Sequence, residues 1–285
     1  MKLQGASAVI TGAGSGIGRA LALASARRSM GLLLADVSEP GLADTQRLAA
    51  AAGAAVVETQ LCDVSRASDV KKLADVAFDR FDSVALLCNN AGVAPAGPLL
   101  TSTAADWRWV MNVNLMGVVH GIQSFLPRML EQCSAAQIVN TASVAGLIPV
   151  GGMAAYTASK HAVVATSECL HLELAASNAD VGVSVLCPAY VDTNLADCEK
   201  LRPAELAEAN PKSQAYLKRL GHALESGRLS TDAIAELTLD AAQARRFYVL
   251  PHPEFKSAVA ARMQAVIDQG MPPAFAPNPS TSPEA

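Results

Sequence analysis

Short runs of leucine and β-branched residues alternate along this chain with longer stretches whose apolar positions recur at helical spacing. The runs at 6–11, 31–36, 54–61, 84–88, 137–142 and 181–186 read as strands, with a short last one at 246–249. They carry little polar alternation, as expected of strands covered on both faces. Helical patterns occupy about 16–29 and 39–52, with two longer ones at about 103–132 and 152–177. Strand and helix alternating in this way predict a single-domain α/β fold over 1–270, a doubly wound parallel sheet of about seven strands. After residue 193 the pattern changes to charged, proline-punctuated helical pieces, and the segment 194–230 is expected to form a helical lid over a substrate site. Residues 271–285 are rich in proline and are expected to be a flexible tail.

Composition narrows the class. At 285 residues, 51% hydrophobic and 17% charged, the chain is rich in core and unlike a disordered segment. A net charge of −4 gives no reason to expect nucleic acid or an anionic membrane surface as a partner. The six cysteines, Cys62, Cys88, Cys133, Cys169, Cys187 and Cys198, form no CxxC pair, and several sit in strand-like apolar runs as small hydrophobes. The five histidines have no ligand spacing, so no metal is expected. No signal peptide and no apolar stretch of about 18 residues is visible, which makes the cytoplasm the expected location.

The first candidate chemistry is a glycine turn. Thr11-Gly12-Ala13-Gly14-Ser15-Gly16-Ile17-Gly18 follows a strand and opens a helix. Glycines there let backbone approach a pyrophosphate, and the free N–H groups of the helix start can bind it. Ile17 stands where GxGxxG would have its third glycine, and the spacing is TGxxxGxG instead. That pattern resembles the short-chain dehydrogenase/reductase family, and further matches run along most of the chain. The resemblance implies a Rossmann-like sheet and a nicotinamide cofactor held by Gly12, Ser15, Gly16, Ile17 and Gly18. Asp36 ends the second strand, followed by Val37, and a carboxylate there can accept hydrogen bonds from the adenosine ribose. A 2′-phosphate at that place would face like charge at up to ~4 kcal/mol. NAD is therefore expected over NADP: no lysine or arginine stands at Ser15 or Val37, and Arg19 is the main group that could reach toward a phosphate. The resemblance also assigns cofactor contacts to Asp63 and Val64 and to Asn90, Ala91 and Gly92 of the Asn89-Asn90-Ala91-Gly92 element.

The second is a phenol and an ammonium four residues apart, Tyr156 and Lys160, which share one helix face. A free tyrosine, with a pKa near 10, is a poor base; lowering that by ~3 units needs about 4 kcal/mol of differential stabilisation, which positive charge can supply. Ser143 lies just after the fifth strand, where a loop can return it to the start of that helix. The resemblance implies a proton-transfer system of Asn114, Ser143, Tyr156 and Lys160, with Asn112 competing for the asparagine role. It adds cofactor contacts from Tyr156, Lys160, Pro188, Val191 and Thr193. Where the family reads Pro-Gly, this chain has Pro188-Ala189, and alanine resists positive φ, so a differently shaped loop is expected there. Ser143, Met153, Tyr156 and Tyr190 are the expected substrate contacts, with Val93, Pro95 and Leu147 as further walls.

The resemblance implies an NAD(H)-dependent oxidoreductase interconverting a secondary alcohol and a ketone on a bulky apolar or aromatic small molecule, and the stretches at 201–203 and 248–254 resemble a subgroup that includes dehydrogenases of lignin-type aryl ether alcohols. Two alternatives remain: a cofactor-independent lyase such as a halohydrin dehalogenase, and a dinucleotide sensor without turnover. The first resembles a serine–tyrosine–arginine set lacking the cradle, the second tolerates loss of the tyrosine. The family further implies a homodimer or homotetramer built on the two long helices.

Overall fold

A computed structural model describes residues 1–132, 134–207 and 213–273. Cys133, residues 208–212 of the expected lid and most of the expected tail lie outside the described residues. The element order is β1 (Ser7–Thr11), α1 (Gly16–Ala26), β2 (Gly31–Asp36), α2 (Glu39–Ala51), β3 (Val56–Leu61), α3 (Ala67–Arg80) and β4 (Leu86–Asn89). It continues with α4 (Ala104–Val110), α5 (Gly117–Glu131), β5 (Ala136–Thr141), α6 (Ala154–Ala176) and β6 (Val181–Leu186). Last come α7 (Ser213–Glu225), α8 (Thr231–Gln243), β7 (Tyr248–Val249) and α9 (Lys256–Ile267). Helices α3, α8 and α9 are additional to those the pattern singled out.

The strands form one parallel sheet in the order β3-β2-β1-β4-β5-β6-β7. Strands β1, β4 and β5 are buried along their whole length, and β3 at the edge is not. One apolar cluster packs β1, β2 and β4 side chains against α1 and α8, and a second packs the opposite face against α3 and α5. Burial of leucines such as Leu32, Leu33, Leu34, Leu86 and Leu87 contributes roughly 1.5–3 kcal/mol each. Chain direction from β1 reverses between its two neighbours, β2 and β4. Crossover connections leave that point on opposite faces, and a crevice opens outside the strand ends.

The helix expected over 103–132 is interrupted. Between α4 and α5, residues 111–116 form a π-helical turn, in which the Gly117 N–H bonds the Asn112 carbonyl five residues back. The extra residue shifts the helical phase, and Asn114 sits fully buried in this turn. No helix among the described residues is long and apolar enough to cross a membrane.

Candidate active site

A groove of about 620 Å³ runs along the strand ends at this reversal point. Its first end is the glycine turn. A Cβ on Gly12 would stand 2.8 Å from the Ala91 Cα, and one on Gly18 would stand 2.0 Å from the Gly12 oxygen, so neither position has room for a side chain. The Thr11 hydroxyl accepts the N–H groups of Asn90 (2.9 Å) and Ala91 (3.2 Å), which ties the turn to the segment after β4. Helix α1 starts at Gly16, and its Ser15 cap makes no side-chain hydrogen bond to the first turn. The helix start thus keeps free donors with positive dipole facing the groove.

Asp36 stands beside this turn. Its two oxygens accept the N–H groups of Gly14 (2.8 Å) and Ser38 (2.9 Å), which leaves lone pairs toward the groove. Arg19 is engaged elsewhere: it bonds the Thr45 hydroxyl at 2.9 Å and the carbonyls of Gly14 and Gly41. Thr45 in turn donates to the Ala13 carbonyl at 2.9 Å. The guanidinium thereby braces the outer side of the glycine turn.

At the other end three side chains from two elements converge. Ser143 follows β5, and Tyr156 and Lys160 lie on α6; all three are buried and line the groove. Lys160 Nζ donates to the Thr141 carbonyl at 2.8 Å and lies 5.7 Å from the centre of the Tyr156 ring. Burial pushes the Lys160 ammonium down to about 8. Burial also pushes the Tyr156 phenol up to about 12, opposed by its hydrogen bond with Ser143. The Ser143 hydroxyl is held by the Ala145 N–H at 3.1 Å and lies 3.3 Å from the Pro188 carbonyl.

Asn114 does not line the groove. Its side chain accepts from the Val93 N–H (2.8 Å) and donates to the Val93 carbonyl (2.9 Å) and to Ser159 Oγ (3.0 Å). Ser159 itself donates to the Tyr156 carbonyl at 2.7 Å. The asparagine therefore joins the wall at Val93 to the helix that carries Tyr156, while Asn112 lines the groove.

The remaining expected positions divide. Gly12, Ser15, Gly16, Ile17, Gly18, Asp36, Val37, Asp63, Val64, Asn90, Ala91, Gly92, Pro188, Val191 and Thr193 all line the same groove. Met153 and Tyr190 do not; they pack against Tyr156, Ala94, Leu220 and Leu224 in an apolar cluster. Met153 and Pro95 line a neighbouring cavity instead. Ala189 is not at positive φ, a region the described non-glycine residues enter at Ser29, Asn178, Arg245 and Gln269. The loop therefore needs no glycine at Ala189, and the alanine sits there without the backbone strain that positive φ would impose.

Sequence reasoning missed several groove residues. Trp109 and Cys198 line it, and Cys198 accepts the Ala94 N–H at 3.3 Å. Arg202, on the segment expected as lid, stacks 4.3 Å from the Trp109 ring centre and pairs with Asp106 at 2.7 Å. Asp106 also closes a capping box at the start of α4. None of these contacts repeats at a sequence period, so no local pattern announces them.

The family model for short chain dehydrogenases matches residues 6–202. The chain belongs to this family, and is an oxidoreductase of it. Its relatives include a CLA biosynthesis dehydrogenase/reductase of Lactiplantibacillus plantarum, 35% identical over 92% of this chain and 93% of that protein. A 1-deoxy-11-beta-hydroxypentalenate dehydrogenase of Streptomyces avermitilis is 39% identical over 68% of this chain and 71% of its own. Among solved structures, a short-chain dehydrogenase/reductase from Burkholderia phymatum in complex with NAD superposes with a TM-score of 0.94. It is 46% identical, over 97% of this chain and 99% of that one.

Proposed function

We propose that this protein is an NAD(H)-dependent dehydrogenase or reductase that interconverts a secondary alcohol and a ketone. The observation that carries the reading is a single groove with a glycine-walled helix start and Asp36 at one end, and Ser143, Tyr156 and Lys160 buried at the other. The residues present fit a dinucleotide: Gly12 and Gly18 let the turn close against the Ala91 backbone and against itself where a Cβ would clash, the start of α1 offers donors to a diphosphate, and Asp36 offers acceptors to ribose hydroxyls. The carboxylate and the prior engagement of Arg19 both favour NAD over its 2′-phosphate. The NAD-bound relative from Burkholderia phymatum supports the same choice.

When bound, the nicotinamide supplies the hydride acceptor or donor. Ser143 Oγ holds the substrate oxygen next to the phenol, and Tyr156 takes the hydroxyl proton during oxidation or returns it during reduction. Lys160 keeps positive charge close to the phenol and so favours its ionised form. Asn114 fixes Val93 against α6, which holds Tyr156 in register with the groove. Positioned proton transfer of this kind contributes roughly 10²–10⁴-fold.

The walls at Val93, Trp109, Leu195, Leu206 and Leu224 favour a bulky apolar or aromatic substrate, held under the 194–230 segment as a lid. The hydroxy compound named by the Streptomyces avermitilis relative supports oxidation at CH–OH. A fluorescence titration with NADH, followed by a panel of secondary alcohols and ketones at the nicotinamide absorbance, tests the proposal. Binding with turnover on the panel is expected. Failure to bind NADH would favour a lyase, and binding without any turnover would favour a sensor. Exposed Met116, Leu130 and Leu172 near α5 and on α6 support a homodimer or homotetramer, measurable by light scattering.

A further inference from the structure

The loop after β6 is held from an unexpected direction. The Ala189 N–H donates to Nδ1 of His252 at 3.1 Å, across 63 positions of sequence. His252 follows β7 and is 5% exposed. Its Nε2 is buried and has no hydrogen-bond partner among the described residues. Burial lowers its pKa, against opposite pulls from Glu254 and the Tyr190 backbone, so the ring is held neutral with Nδ1 available as an acceptor. An imidazole kept only for packing would gain from replacement by a hydrocarbon ring, because a buried N–H without an acceptor is unfavourable. What the imidazole adds here is an acceptor for one backbone amide. That amide belongs to the residue after Pro188, whose carbonyl receives the Val144 N–H at 2.8 Å and faces the Ser143 hydroxyl at 3.3 Å.

We propose that His252 is a positioning residue: by fixing the backbone at Ala189 it sets the Pro188 carbonyl, and through it the Ser143 hydroxyl beside Tyr156. The proposal rests on the substrate-holding role given to Ser143 above. His252 is not among the residues that line the groove, and it acts through the loop alone.

The test uses the full-length protein with two substitutions. His252→Asn keeps an acceptor close to the Nδ1 position, and His252→Leu fills the space without one. Two readouts are taken: hydrogen exchange of the 187–193 backbone without substrate, and kcat with NADH affinity on an alcohol from the panel. In H252L, exchange at Ala189 is expected to quicken by about tenfold or more. Its kcat should fall by roughly 5–20-fold, with the NADH Kd moving no more than about threefold. H252N should restore both toward wild type. Wild-type exchange and kcat in H252L, or equal impairment in H252N, would overturn the proposal. Should H252L not fold, H252Q takes its place, since its acceptor reaches the Nε2 position instead. If wild-type protein turns over nothing on the panel, the alcohol–ketone reading fails, and exchange at Ala189 alone then decides this one.

Discussion

Lys160 holds its buried ammonium against the carbonyl of Thr141 at 2.8 Å, with the centre of the Tyr156 ring 5.7 Å away. The charge is poorly solvated there, and the fold tolerates it. With a pKa of about 8, against an ordinary 10.5, the folded chain releases this proton before the unfolded chain does. Below pH 8 the penalty of the buried charge is present in full. Between 8 and 10.5 the unfolded state holds more protons, so this group makes the protein more stable as pH rises.

Lys160→Met should therefore stabilise the cofactor-free protein at pH 7, by at most about 3 kcal/mol less the lost bond to Thr141, and so raise its unfolding temperature. The gain should shrink toward pH 10.5, while turnover is lost. Thermal melts at several pH values check both signs. A variant less stable at pH 7 than at pH 10 relative to wild type would contradict the argument.

Tyr156→Phe should abolish turnover and leave NADH binding intact. Retention of more than a tenth of the wild-type rate would remove Tyr156 from its proposed role.

Burial makes the demand on that phenol larger than its ordinary pKa suggests. From about 12, ionisation near pH 7 needs about 7 kcal/mol of differential stabilisation. Ultraviolet titration of wild type minus the phenylalanine variant should place Tyr156 ionisation in strong alkali for the cofactor-free protein. Saturating NAD should bring it down by several units, and NADH should not. Oxidation, which needs the phenolate, should then quicken as pH rises, and reduction, which needs the phenol, should slow.

Asp36→Asn removes the charge and one of the two acceptors held by Gly14 and Ser38. Relative efficiency with NADP against NAD is expected to rise by about tenfold or more. The melting temperature should fall as well, since hydrogen bonds to charged groups contribute roughly 1.5–3 kcal/mol. An unchanged cofactor ratio in steady-state kinetics would count against the ribose role.

Gly152 has φ +78°, and a Cβ there would lie 2.4 Å from Cε1 of Tyr216 on α7. Gly152→Ala should displace α7, raise KM for bulky substrates and leave NADH affinity unchanged. Adding Tyr216→Ala should recover part of the lost stability, since it removes the clash and leaves only backbone strain of about 1 kcal/mol. Additive effects of the two substitutions would show that the ring does not sit in that notch.

Much of this was legible in the residues alone. Strands β1 and β2 announce themselves because both faces are covered and apolar side chains follow one another without alternation, and β5 and β6 through their β-branched residues in short buried runs. The glycine turn is readable because only glycine fits where backbone meets backbone, and Tyr156 and Lys160 because helix geometry aligns residues four apart. Helix α3 was less visible: aspartate, lysine and arginine fill most of its outer surface, and the stripe turned inward is narrow, made of Val70, Leu73, Ala74 and Ala77.

The sequence by itself determined the sheet, the phosphate cradle and the types of group available for proton transfer, since each follows from short-range periodicity or from a residue with one steric use. Tertiary structure alone decided that Arg19 braces the turn, that a π-helical step buries Asn114, that Arg202 stacks on Trp109 and that His252 receives the Ala189 amide. Those are pairings of polar groups distant along the chain, and their partners are chosen by packing rather than by any local pattern.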